Sequence, residues 1–193
     1  MHKSAKPTQK PTKEAPAKVE LEQIIDGCRT ADNRARRELY ERYSRLIFGV
    51  LCRYVPSRTE AEDLLHDCFI TIFTRIKEFR SEGSFEGWCR RIAVHTALDH
   101  LRRSNRLEIV EIESNLATTN QTAINPDILD HFTTEEVMAL IGKLTPTART
   151  IVNLRAVEGL DYHQIAEVLN IKESTARSQF RRARETLLEL LKK

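Results

Sequence analysis

RRELYERYSRLIFGVLCRYV, residues 36–55, sets Leu39, Tyr43, Leu46, Ile47, Val50, Leu51 and Tyr54 at steps of three and four. Only a helix gathers residues so spaced onto one face, and Pro56 then stops it. TEAEDLLHDCFITIFTRIKEF, residues 59–79, repeats the spacing with Leu64, Leu65, Phe69, Ile72, Phe73 and Ile76. After the short polar loop RSEGS a third helix is predicted from about Phe85 to Arg103. Three amphipathic helices with short connections predict an antiparallel bundle. No stretch of the chain reads as a strand, so the expected fold class is all-α, in two small helical domains.

The flanking stretches divide the chain. Residues 1–18 hold three prolines and five lysines with no large apolar residue after Met1. Such a segment cannot bury enough surface to offset its entropy and reads as a disordered basic tail. Residues 107–136 carry seven acids and no Lys or Arg, which marks an acidic linker, placed at 107–132. Helices return over 133–193. Thr145 before Pro146 forms a helix start, and Asp161 caps the next helix.

Bulk properties narrow the class less than the patterning does. The chain has 193 residues and a formal net charge of +3, with 40% apolar and 31% charged residues. These are globular proportions. No apolar run approaches the roughly 18 residues of a membrane span, and the N-terminus lacks the apolar core of a secretory signal. The four cysteines, Cys28, Cys52, Cys68 and Cys89, are too widely spaced for a zinc or disulfide framework. Reduced thiols and a cytoplasmic location are expected, with no cofactor and no metal.

HQIAEVLNIKESTARSQFRRAR, residues 163–184, reads as a helix-turn-helix. Ala166 allows close helix contact, Ile165, Leu169 and Ile171 fill the turn, and Asn170 suits a left-handed turn residue. On the last helix Ala176, Phe180, Ala183 and Leu187 recur at steps of four, three and four as the buried face. Ser174, Thr175, Arg177, Ser178, Arg181 and Arg184 are the candidate DNA contacts. Arginine and small hydroxyl side chains at the exposed start of a second helix suit a major groove. A solvated charged face is the plainer alternative; the turn chemistry in front of it favours DNA.

Three separated motifs now align with one family. AEDLLHDCFITIF (61–73), FEGWCRRIAVHTALDHLRR (85–103) and the segment from Leu144 to Leu187 resemble, in order and spacing, the extracytoplasmic-function (group IV) sigma factors of the sigma-70 family. The resemblance covers about residues 20–191. It implies a region 2 at 19–106, the linker, and a region 4 at 133–193. By this resemblance Asp63, Leu64, His66 and Asp67 meet the β′ clamp coiled coil of core RNA polymerase, and region 4 meets the β flap. The helix also carries an acidic patch of Glu60, Glu62, Asp63 and Asp67, which suits a basic partner.

The resemblance further implies that Arg80, Ser84, Phe85, Arg90, Arg91, His95, Arg102 and Arg103 capture the minus-ten element. RSEGSFEG would wall a pocket for an unstacked base, and arginines 90, 91, 102, 103 and 106 would track phosphates. Trp88 is expected to anchor the core. The last helix would read the minus-thirty-five element. His66 stands where the family usually has glutamine, and His95 where it has asparagine. Arg91 and Ile92 replace the tryptophan pair with which housekeeping members melt DNA. The acidic linker would thread a basic channel of the polymerase, and an anti-sigma factor would hold the protein inactive.

Two other readings stand beside this one. A two-domain regulator could bind an operator through the same helix-turn-helix, with the first bundle as a sensor. A metal or redox switch could use the cysteines and histidines. No nucleophile–base pair or phosphate loop points to an enzyme.

Overall fold

In a computed structural model, residues 14–104, 106–107 and 134–191 are described. Residues 1–13 of the basic tail and 108–133, which hold most of the acidic linker, lie outside them. Every regular element among the described residues is helical.

The N-terminal bundle has one helix more than periodicity alone isolates. Helix α1 (Glu14–Arg29) begins inside the stretch assigned to the tail, so 14–18 are helical. It packs Ile24, Ile25 and Cys28 into the core and turns into α2 (Asn33–Tyr54) through Ala31, which adopts a left-handed φ of 64°. The approach is close at Gly27, where a Cβ would lie 2.6 Å from the Ala35 Cβ. Asp32 caps α2 by accepting from the Arg34 N–H, and Val55 and Pro56 end it.

Ser57 caps α3 (Arg58–Arg75) by accepting from Glu60 N–H, and a 3-10 turn, Ile76–Glu78, closes it. Ser84 caps α4 (Phe85–Arg103) by accepting from Gly87 N–H at 3.0 Å. Leu39, Ile47, Leu51, Ile72, Leu98 and Leu101 are fully buried where these helices meet.

The C-terminal module comprises α5 (Thr134–Gly142), α6 (Pro146–Val152), a π-helical turn (Asn153–Val157), α7 (Tyr162–Leu169) and α8 (Glu173–Leu191). Thr145 caps α6 with proline at its start, as expected. Asp161 and Gln164 form a reciprocal capping box on α7. Asn170 takes φ 55° and ψ 53° between α7 and α8, the left-handed geometry its short polar side chain tolerates.

Among the described residues of this module, one buried side chain is charged. Arg149, 5% exposed, donates to the carbonyls of Ile141, Gly142 and Leu144 at 3.2, 2.6 and 2.9 Å. These carbonyls belong to the end of α5 and the turn after it, where a cation is favoured. Burial lowers the arginine's pKa from its ordinary value. The fork thereby joins α5 to α6, the platform against which α8 lies.

Candidate nucleic-acid interface

Three charged surfaces emerge, one on each of α3, α4 and α8. On α3, Ala61, Leu64, Leu65, Cys68 and Ile72 face the bundle, leaving Asp63, His66 and Asp67 exposed. Leu64 therefore packs the helix and is not a surface contact, because it shares the bundle-facing side with Leu65 and Cys68. Ile70, 64% exposed, lies one turn beyond His66 and Asp67.

The acidic patch is smaller than its sequence suggests. Glu60 accepts both Arg106 guanidinium nitrogens at 2.7 and 2.8 Å. Those hydrogen bonds, with Coulombic help from Arg106 and His100, hold its carboxyl below the ordinary carboxylate value. Glu62 pairs with Arg58 at 2.9 Å. Asp63 and Asp67 remain as side-chain carboxylates with no ion pair among the described residues. The same contact takes Arg106 out of the predicted phosphate-tracking set. Beside α3, an open cavity of about 440 Å³ is lined in part by Tyr40, Arg45, Phe48, Leu65 and His66.

On α4, Arg91, His95 and Arg102 are exposed and spaced i, i+4 and i+11, so they form one stripe. Arg91 has no ion-pair or hydrogen-bond partner among the described residues. Arg90 pairs with Glu86 at 3.1 Å, Arg102 with Asp99 at 2.7 Å, and Arg103 Nε donates to the Asp99 carbonyl. Arg80 is exposed in the preceding loop, where Ser81 and Gly83 take positive φ. Exposed Ser84 spends its hydroxyl oxygen on the cap.

Phe85 is buried, contrary to its expected place among the base contacts. As the first residue of α4 it packs against Tyr43, Phe79 and Trp88, with ring centroids 5.3, 5.1 and 5.4 Å away. Trp88 is half-buried in that cluster, which makes it the core anchor expected of it.

On α8, Ser174 and Arg177 are exposed on the first turns, while Ser178, Arg181 and Arg184 are half-buried. Ala176 and Ala183 are buried, and Phe180 and Leu187 pack against the core, so the helix face is the one predicted. Thr175 departs from the prediction. It is 7% exposed because the start of α8 lies under α7 and turns 175 and 176 inward together. Its carbonyl accepts the Ser178 hydroxyl at 3.0 Å.

Family models for sigma-70 region 2 and sigma-70 region 4 match residues 39–107 and 134–187. An ECF RNA polymerase sigma-E factor of Haemophilus influenzae is 31% identical over 173 residues, covering 85% of this chain and 91% of its own. The RNA polymerase sigma-H factor of Pseudomonas aeruginosa is 30% identical over 175 residues, with 86% and 91% covered. This chain belongs to the ECF sigma factors. Its fold is also that of the sigma factor RpoE solved with the anti-sigma factor NepR from Bartonella quintana, at a TM-score of 0.51 and 20% identity over 81% and 96% of the two chains. These relationships do not favour an operator-binding regulator.

In this sigma factor a residue outside the predicted set bears on the α8 surface. Tyr162, the first residue of α7, stacks under the Arg177 guanidinium at 4.7 Å and the Arg155 guanidinium at 5.1 Å. Arg177 is further fixed by Glu173 at 2.6 Å. Nothing local in the sequence signals this, since the partners lie on three different elements. Burial works against the thiolate that a redox switch would need. Burial pushes the thiols of Cys28 and Cys68 up to about 11 and that of Cys89 to about 12, which suppresses the reactive thiolate.

Proposed function

We propose that this ECF sigma factor binds core RNA polymerase and directs promoter-specific initiation by recognising the minus-ten and minus-thirty-five elements. The observation that carries the reading is the single-chain combination of an acidic stripe on α3, an arginine stripe on α4 and an exposed arginine at the start of α8. Region 2 is assigned to 19–106, the linker to 107–132 and region 4 to 133–193.

Asp63, His66 and Asp67 face the basic β′ clamp coiled coil, with Ile70 as an apolar anchor in the same stripe. Arg80, Arg90, Arg91, His95, Arg102 and Arg103 serve the minus-ten strand, with Ser84 fixing the helix start beneath it. Ser174 and Arg177 reach base edges of the minus-thirty-five element, and Ser178, Arg181 and Arg184 lie along its backbone. Region 4 also meets the β flap. The linker fills a channel built for RNA phosphate, and an anti-sigma factor restrains the protein in the cytoplasm. A sigma factor is a recognition subunit of this kind rather than an enzyme, and no described helix is long and apolar enough to cross a membrane.

Titration of the full chain onto core polymerase tests the reading. Asp63→Arg should weaken binding by about tenfold or more, because a like charge then faces the clamp. A folded Asp63→Arg protein with parental affinity would remove the α3 assignment.

A further inference from the structure

The loop 80–84, which supplies Arg80 and Ser84 to the proposed minus-ten surface, hangs between two points that the bundle fixes. At its far end Ser84 caps α4. At its near end stands Phe79, which is buried, with its ring against those of Phe85 and Trp88 at centroid distances of 5.1 and 5.6 Å. The contact with Phe85 brings the two ends of the loop together. Phe79 N–H also donates to the Ile76 carbonyl at 3.3 Å, closing the 3-10 turn. Ring and N–H are thus held by neighbours in sequence, which leaves ψ of Phe79 to set the peptide plane joining it to Arg80.

That plane is gripped from a different helix. Arg29, the last residue of α1, donates from Nη2 to the Phe79 carbonyl at 2.6 Å, across 50 residues of sequence. Its Nη1 donates to Asp26 Oδ1 at 2.8 Å, one turn back on α1. The planar fork presents both donors in a fixed relation, so the carboxylate aims the guanidinium at the carbonyl. Beyond the grip, Ser81 and Gly83 turn the loop with φ of 59° and 118°. A tilt of the Phe79–Arg80 peptide therefore moves Arg80 and everything up to the Ser84 cap. Helix α1 precedes the 39–107 segment matched by the region 2 model, so the grip comes from outside that segment.

We propose that Arg29 is a positioning residue for minus-ten recognition: oriented by Asp26, it fixes the Phe79–Arg80 peptide and with it the shape of the loop that walls the base pocket. The inference rests on the minus-ten assignment above. Two observations separate this contact from a bond that merely holds the bundle together. The bundle closes without it, since Phe79 is buried through its ring and α1 is packed through Ile24, Ile25 and Cys28. The Arg29 and Asp26 side chains are also 34% and 70% exposed, so water replaces either partner at little cost to stability. Water does not replace the direction that the guanidinium gives the carbonyl.

The test uses the full chain with core polymerase, in run-off transcription on templates randomised across the minus-ten element. Arg29→Met should narrow the ratio between preferred and disfavoured bases there by about three- to tenfold, the factor that one ordinary hydrogen bond represents. The minus-thirty-five preference and the Trp88-reported melt should stay close to parental. Arg29→Lys, which keeps a donor and the charge, should recover part of the selectivity, and Asp26→Ala should lose part of it with Arg29 still present. Arg80→Ala probes the loop separately. If it alters minus-ten selection while Arg29→Met and Asp26→Ala do not, the brace is overturned and the minus-ten reading stands. If neither Arg80→Ala nor Arg91→Ala alters selection, the minus-ten reading falls and takes the brace with it. An equal fall on every template would make Arg29 one more phosphate contact, and lost helicity would make it a folding residue; either result overturns the positioning role.

Discussion

Arg149→Met should destabilise region 4 and leave region 2 standing. Methionine nearly fills the arginine's stem but cannot donate, so three carbonyls lose their partner at once. The loss is unequal. Ile141 is half-buried and Gly142 exposed, so water can reach their carbonyls, whereas the bond to Leu144 lies in the interior. An orphaned buried acceptor costs about 1–3 kcal/mol, and the two rehydrated ones add less. Removing a charge whose burial is already unfavourable returns part of this. A net loss of about 2–3 kcal/mol results, equivalent to a fall of roughly 10–20 °C for a module this small. Arg149→Lys should fall between the two, because an ammonium cannot match the fork.

The assay is built into the chain. Trp88, the sole tryptophan, reports the N-terminal bundle by fluorescence, while circular dichroism follows all helices. Arg149→Met should split the melt, with an early loss of helicity while Trp88 still reports a folded bundle. A variant that melts within about 0.5 kcal/mol of the parent, the range of an ordinary surface change, would refute the platform role.

Three further outcomes are expected. Gly27→Ala should cost about 1–3 kcal/mol in thermal or denaturant unfolding, because its Cβ would sit 2.6 Å from that of Ala35 and α1 must shift off α2. Tyr162→Leu and Arg177→Ala should each relax the same promoter position in a library selection, and the double variant should add little, since the ring acts through the guanidinium. Glu60→Gln should lower stability near neutral pH, and the gap should close in acid. The folded carboxyl lies below its ordinary 4.5, so its contribution is present above that value and lost as pH falls through the depressed one; denaturant melts from pH 7 to pH 3 would show it.

What the sequence discloses is what local rules control. Leu39, Ile47 and Leu51 recur at helical steps, so α2 and its buried side follow from spacing. Asp161, Thr145 and Asn170 are residues whose short side chains select a cap or a left-handed turn, and each adopts that geometry. The motif order likewise identifies the family. Contacts across elements do not follow from such rules. Arg106 looks like one more cation of a phosphate surface until folding brings Glu60, 46 residues away, against it. Arg149 looks solvent-facing in a polar run, and its burial depends on carbonyls of another helix. Thr175 and Phe85 stand beside exposed candidates, and one step in helical register turns them inward. The start of α1 is hidden by prolines and lysines that read as tail. The π turn at Asn153 has no local signature at all; its side chain is held by Arg53 from the other module.

Run-off transcription with purified core polymerase on a promoter library is the most direct test of the whole account. Core enzyme with this chain should start at a restricted set of templates sharing a minus-ten and a minus-thirty-five element. Asp63→Arg should abolish those starts, and Arg177→Ala should broaden the upstream element alone. Tight binding to a duplex without any polymerase-dependent start on that library would contradict the account.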